Sequence, residues 1–223
     1  MSARREQSPR HISYLHGFAS SAQSKKAAYF AERLRARGLS LDCPDFNEPE
    51  FASLTMTRML DQLAREMTRR ESGPVALIGS SLGAVVAIHA AARMPDRIER
   101  LVLLAPALMF GKDGHSFLGP DRVAEWHRMG TIDVFHFGFG ETRSLNYSFY
   151  EDSLQYEAFG AALHQPMLIF QGLRDDAVDY RIVEQYAATR PQATLSLLDD
   201  DHQLIASLPR MWDDIEPFLG LLD

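Results

Sequence analysis

Cysteine is almost missing. Cys43 is the one thiol in 223 residues, so no internal disulfide can form and a reducing compartment, the cytoplasm, is the expectation. Basic charge is also in short supply, with 23 Lys and Arg against 30 Asp and Glu, a net charge of −7. No positive field is then available to displace phosphate counterions, and a nucleic-acid partner is not expected. Long apolar runs are missing too. The most apolar stretch, residues 75–92, is broken by Gly79, Ser80, Ser81, Gly83 and His89, which makes a poor membrane span. No membrane partner is expected. The first ten residues carry arginine with no apolar run behind them and read as a polar tail, not a secretory signal. Neither G-x-G-x-x-G nor G-x-x-x-x-G-K occurs, so no nucleotide-binding loop is indicated. Repeats and Pro/Gly/Ser-rich linkers are lacking as well, and a single domain over residues 1–223 is expected.

What is present is apolar enough to fold. Hydrophobic residues make up 46% and charged residues 24%, which excludes a disordered chain. Short apolar runs alternate with helical spacing, the pattern of a parallel sheet covered by helices. Strands are predicted at residues 11–15, 39–43, 75–78, 101–104, 167–170 and 193–198. Ala27, Phe30, Ala31 and Leu34 mark one helix, ended at Gly38. Met56, Met59, Leu60, Leu63 and Met67 mark a second. Further helices are predicted over residues 82–94 and 179–189. A last one has Trp212, Ile215, Phe218, Leu219 and Leu222 on one face. Lys25-Lys26 and Arg69-Arg70 read as solvated helix faces. Residues 107–165, after the fourth strand, are too long for an ordinary connection and hold much of the aromatic content. An insertion there covers the carboxyl ends of the strands, where ligands bind in such folds. It serves either as a satellite core or as an acyl-binding wall, and Phe18, Phe110, Phe137 and Tyr147 are the candidate pocket residues.

Gly79-Ser80-Ser81-Leu82-Gly83 matches G-x-S-x-G, directly after an apolar strand and directly before a helix. A nucleophile at such a turn sits on a strained backbone. Small residues two positions either side let strand and helix pass closely, and the hydroxyl is lifted towards the helix N-terminus. Ser81 is therefore the candidate nucleophile. Ser80, flanked by Ile78 and Leu82, does not fit the glycine frame and reads as packing. An oxyanion needs two convergent donors. The N–H of Leu82 supplies one and the N–H of Phe18, in His16-Gly17-Phe18-Ala19 after the first strand, supplies the other. His16 reads as a brace for that loop.

The acid and the base should follow the serine in that order. Asp175, after the fifth strand, is the candidate acid, with Asp176 and Asp179 as rivals and helix capping as the plain alternative. His202 is the one histidine after Asp175, so the order selects it as base. The acidic run before it lacks calcium-loop or zinc spacing, and no metal is expected. His89 reads as a hydrogen-bonded packing residue. His115, His127 and His136 sit in the insertion, within possible reach of substrate. Cys43 reads as core.

With these three residues in order, the chain resembles the α/β-hydrolases, and within them the small bacterial YqiA-like esterases. Tyr14 to Phe18, Ser20, Ser21, Ser24, Lys26 and Ala27 reproduce the opening Y-L-H-G-F-x-S-S and S-x-K-A of that family. Gly79 to Gly83 give its G-S-S-L-G, and Asp179, Tyr180 and Arg181 its D-Y-R. Ala84 departs from a second glycine, and Asp200-Asp201 from the usual Gly-Asn before the histidine. The resemblance implies a minimal α/β-hydrolase fold with a mostly parallel six-stranded sheet, helices on both faces, and no cofactor. It implies a serine esterase acting on a small-molecule acyl ester. Two alternatives are a thioesterase or acyltransferase on carrier-linked acyl groups, and a silent binding module on the same scaffold.

Overall fold

The computed structural model describes residues 11–69, 73–112 and 118–222. The polar tail, Arg70, His115 and Phe117 lie outside the described residues. In chain order the elements are β1 (His11–Leu15), α1 (Lys25–Arg35), β2 (Leu41–Asp42), a 3-10 turn (Phe51–Ser53), α2 (Met56–Arg69), β3 (Val75–Ser80), α3 (Leu82–Arg93) and β4 (Ile98–Leu104). Then come α4 (Pro120–Met129), β5 (Thr131–His136), β6 (Glu141–Asn146), α5 (Ser148–Ser153), β7 (Met167–Gly172), α6 (Tyr180–Ala188), β8 (Ala193–Leu198) and α7 (Leu208–Phe218). Among the described residues no helix is long and apolar enough to cross a membrane.

Six strands form one sheet in the order β2-β1-β3-β4-β7-β8, and every neighbouring pair is parallel. Side chains alternate across a strand, and the two faces collect different partners. Leu77, Leu101, Leu103 and Ile169 face α2, α3 and α6. Ala76, Ile78, Val102, Leu104 and Phe170 face α1 and α7. β3 is buried along its whole length, as an apolar strand covered on both sides must be. The carboxyl ends of β1, β3, β7 and β8 therefore lie together along one edge.

Three expectations need correction. The second strand shrinks to Leu41–Asp42. Leu222 follows the end of α7 and is 61% exposed, and the buried face of that helix is Leu208, Met211, Trp212 and Ile215, with Leu219 just beyond. Lys26 is not solvated. Its position is 7% exposed, because it stands four and eight residues before Phe30 and Leu34 on the same stripe of α1. Lys25 and Arg69 are exposed, as expected.

The insertion is not shapeless. It folds into α4, an antiparallel β5–β6 hairpin and α5. Trp126 is buried and gives its Nε1 proton to the Leu145 carbonyl (3.0 Å), which ties α4 to the hairpin. Phe149, Leu145 and Trp126 join the core on the α3 side of the sheet. The hairpin turn docks on the loop after β1. The Gly138 N–H donates to the Ala19 carbonyl (3.2 Å), and His136 Nε2 meets Asn47 Oδ1 at 2.9 Å.

Candidate active site

The turn between β3 and α3 holds Ser81 at φ 54° and ψ −116°. A positive φ is costly for a residue with a β-carbon and persists only where the surroundings enforce it. Here both glycines of the motif are needed for close approach. A β-carbon on Gly79 would stand 2.5 Å from the Gly83 carbonyl and 2.6 Å from the Ala84 Cα. One on Gly83 would run into the Leu15 and His16 carbonyls. Helix α3 thus packs against the ends of β1 and β3, with Ser81 at its N-cap. Ser80 is buried (3%).

The loop after β7 carries Asp175, whose Oδ1 accepts from the N–H groups of Ala177 and Val178 (2.9 and 2.8 Å). Its Oδ2 accepts from Gln171 Nε2 at 2.8 Å and meets His202 Nδ1 at 2.8 Å. Burial pushes the pKa of this carboxyl up. The bond and charge of His202, the Val178 N–H and Gln171 outweigh that, and the carboxyl ends below its ordinary value. Asp176 is exposed, and Asp179 caps α6 through the Arg181 N–H (3.0 Å). Neither rival meets the imidazole.

The loop after β8 brings His202 back over the sheet. Its Nε2 stands 3.1 Å from Ser81 Oγ. With Nδ1 donating to Asp175, Nε2 is the acceptor for the serine proton. The acidic run before it is structural. Asp200 is 4% exposed and accepts from the N–H groups of Asp201 and Ser207 (2.8 Å each). Asp201 Oδ1 accepts from the Gln203 N–H (2.8 Å). Gly172 lets the two loops meet, since a β-carbon there would stand 2.5 Å from the Asp200 carbonyl and 2.6 Å from that of Asp201. Among the described residues no group of three or more His, Cys, Asp or Glu side chains is arranged to hold a metal.

The loop after β1 closes the other side. A β-carbon on Gly17 would sit 3.1 Å from the Ser80 carbonyl and 3.2 Å from Ser81 Cβ. The backbone at residues 17–18 therefore runs beside the serine, with Leu82 following it in the chain. His16 braces this loop. It is 3% exposed, its Nδ1 lies 2.9 Å from the Gly17 carbonyl, and its Nε2 accepts from the Phe46 N–H at 3.0 Å.

Ser81, Asp175 and His202 open into a cleft of about 1540 Å³. Phe18, Phe110 and Phe137 line it, joined by Leu108, Val134 and Phe135. Phe18 stacks on Phe149 at 5.3 Å and lies 6.1 Å from Phe110. Tyr147 is not among the lining residues. It packs on Trp126, His127 and Tyr150 instead. His127 and His136 also stay off the cleft, and His136 is fully buried against Phe51 and Phe139. His89 packs edge-on against Tyr156 at 5.1 Å, and among the described residues its Nε2 has no hydrogen-bond partner, contrary to expectation. Burial, with Arg93 nearby, draws its pKa down to about 4. Cys43 is half-buried, and burial pushes its thiol up to about 11. Two further side chains support the site: Gln171, which the sequence reading passed over and which feeds Asp175, and Lys26, which it took as solvated and whose Nζ donates to the Gln203 carbonyl at 2.9 Å.

A six-stranded parallel sheet flanked by helices, with a strained serine turn after its central strand, defines an α/β-hydrolase fold. Solved structures agree on that fold. Alpha/beta hydrolase domain-containing protein 10 from mouse superposes with a TM-score of 0.79 over 99% of this chain and 98% of its own, at 19% identity. Est1E from Butyrivibrio proteoclasticus, solved with ferulic acid bound, reaches 0.81 over 98% of this chain and 91% of its own, at 18% identity. The chain belongs to the uncharacterised protein family UPF0227, whose model matches residues 11–218. It is also similar to lipase LipV of Mycobacterium tuberculosis, 40% identical over 60 residues. That stretch is 27% of this chain and spans less than a quarter, 23%, of the lipase.

Proposed function

We propose that the protein is a serine hydrolase that cleaves carboxylic esters of small molecules through an acyl-enzyme. One observation carries the reading: a continuous hydrogen-bond chain from Ser81 Oγ through His202 to Asp175, with steps of 3.1 and 2.8 Å. His202 Nε2 takes the Ser81 proton as Oγ attacks the acyl carbonyl. Asp175 holds the tautomer and stabilises the imidazolium. The Phe18 and Leu82 amides, on the two backbones that flank Ser81, are the expected oxyanion donors, and each such donor is worth about 10²–10³ in rate. His202 then protonates the leaving alcohol, and a water activated by the same nitrogen releases the acid. The aromatic wall of Phe18, Phe110 and Phe137 suits an apolar acyl group, and the insertion of residues 107–165 acts as its cap. No step calls for a cofactor.

The decisive experiment pairs turnover of p-nitrophenyl esters of rising chain length with labelling by a serine-directed phosphonate. Wild-type protein and Ser80→Ala should turn over and label, while Ser81→Ala should do neither. Labelling that survives in Ser81→Ala removes the nucleophile assignment. A wild-type protein that never labels is a binding module, and a preference for acyl-CoA over simple esters makes it a thioesterase.

A further inference from the structure

We infer that Lys26 is a positioning residue for His202, holding the loop after β8 so that the imidazole stays between Asp175 and Ser81. The inference rests on the hydrolase reading of that site. Lys26 is the second residue of α1, near the helix N-terminus. A cation there opposes the helix dipole, and a long side chain loses much rotamer freedom when buried. Helix stability therefore does not explain a lysine at a position 7% exposed.

Its surroundings do. Nζ donates to the Gln203 carbonyl at 2.9 Å, bridging residues 177 apart in sequence and one residue from His202. The negative charges of Asp201, Asp175 and Asp200 attract the ammonium and offset part of its desolvation. The rest of the loop is fastened from its other side. The Arg174 N–H reaches the Asp200 carbonyl at 3.0 Å, and Asp200 binds the Ser207 N–H. Lys26 supplies the tie to α1, and its side chain also lines the cleft beside Ser81 and His202. Cutting that tie lets the loop shift away from the serine, and small misplacements of a reacting group cost large factors in rate.

The test is Lys26→Met, which keeps the apolar stem and removes every donor. Two readouts are taken: kcat and KM on a p-nitrophenyl ester, and the downfield proton NMR signal of the His202–Asp175 hydrogen bond, which needs no substrate. The expected result is a kcat lower by about tenfold or more with KM within about twofold, and a broadened or lost signal. Wild-type kcat and a sharp, unshifted signal overturn the inference. So does a fall in kcat with the signal intact. A wild-type protein that turns over neither esters nor acyl-CoA, whose signal still broadens on substitution, removes the hydrolase reading and leaves the positioning role standing. Should the methionine variant not fold, Lys26→Gln, too short to reach Gln203, gives the same two readouts with the same outcomes.

Discussion

Asp175 and Asp176 are chain neighbours with the same chemistry, and only their surroundings separate them. Asp175 accepts four hydrogen bonds, from Ala177, Val178, Gln171 and His202. Asp176 faces solvent. Replacing Asp175 by Asn keeps the size but presents a donor or a neutral acceptor to Nδ1, which favours the wrong tautomer. Asp175→Asn should lower kcat by about 10³–10⁴, while Asp176→Asn should stay within about threefold of wild type, inside the usual range for an exposed site. Steady-state kinetics on one ester checks both, and equal losses would remove Asp175 from its role. The serine turn is legible in the sequence because its glycines leave a fixed spacing. The histidine is legible because chain order leaves one choice. Lys26 and Gln171 are harder to read, since a single polar side chain beside apolar neighbours has no spacing rule. The stripe that Lys26 shares with Phe30 and Leu34 was the available signal.

The β5–β6 hairpin is where element-level reading stops. In Thr131–His136 exposed residues alternate with the partly buried Ile132 and Val134 and the buried His136, while Glu141–Asn146 is exposed over its first four residues. The inward face of β5 ends on a histidine while Phe135 stands on the outward side, and β6 buries nothing before Leu145, so the alternation is too short and too mixed to read as a strand pair. Its placement depends on polar contacts that hydrophobic periodicity cannot reveal. Asn47 is 6% exposed and gives Nδ2 protons to the Ser20 carbonyl (2.9 Å) and Asp45 Oδ1 (2.8 Å), while its Oδ1 meets His136 Nε2. One amide thus joins the loop after β1, the loop after β2 and the hairpin. Asn47→Ala leaves a carbonyl and an imidazole N–H unpaired in the interior, at a cost of about 2–4 kcal/mol. The midpoint of thermal unfolding should fall by about 4–12 °C for a chain this long. Scanning calorimetry measures it, and a shift of about 1 °C or less would mean that the hairpin does not depend on this amide.

For the molecule as a whole, the parallel sheet brings four loop-bearing strand ends to one edge and buries charge there. Lys26 is the clearest case. Burial pulls its pKa down from 10.5 to about 8, against the attraction of Asp201, Asp175 and Asp200. A depressed lysine pKa means that the folded state releases this proton more readily than the unfolded chain. Below pH 8 both states carry the proton, and the cost of burying the charge is present in full. Between about pH 8 and 10.5 the unfolded chain binds more protons, so this group's contribution makes stability rise with pH. The shift corresponds to about 3 kcal/mol. At pH 7 removing the amine relieves that cost and gives up the charged hydrogen bond to the Gln203 carbonyl, worth about 1.5–3 kcal/mol. The two nearly offset, so Lys26→Met should remain folded at neutral pH. Urea unfolding of both proteins from pH 7 to 10.5 isolates the effect, because every other titrating group is common to the pair. Wild type should gain on the variant by up to about 3 kcal/mol across that window. A constant difference would mean that the amine titrates alike in the folded and unfolded chains, and that its burial beside the cleft carries no electrostatic cost.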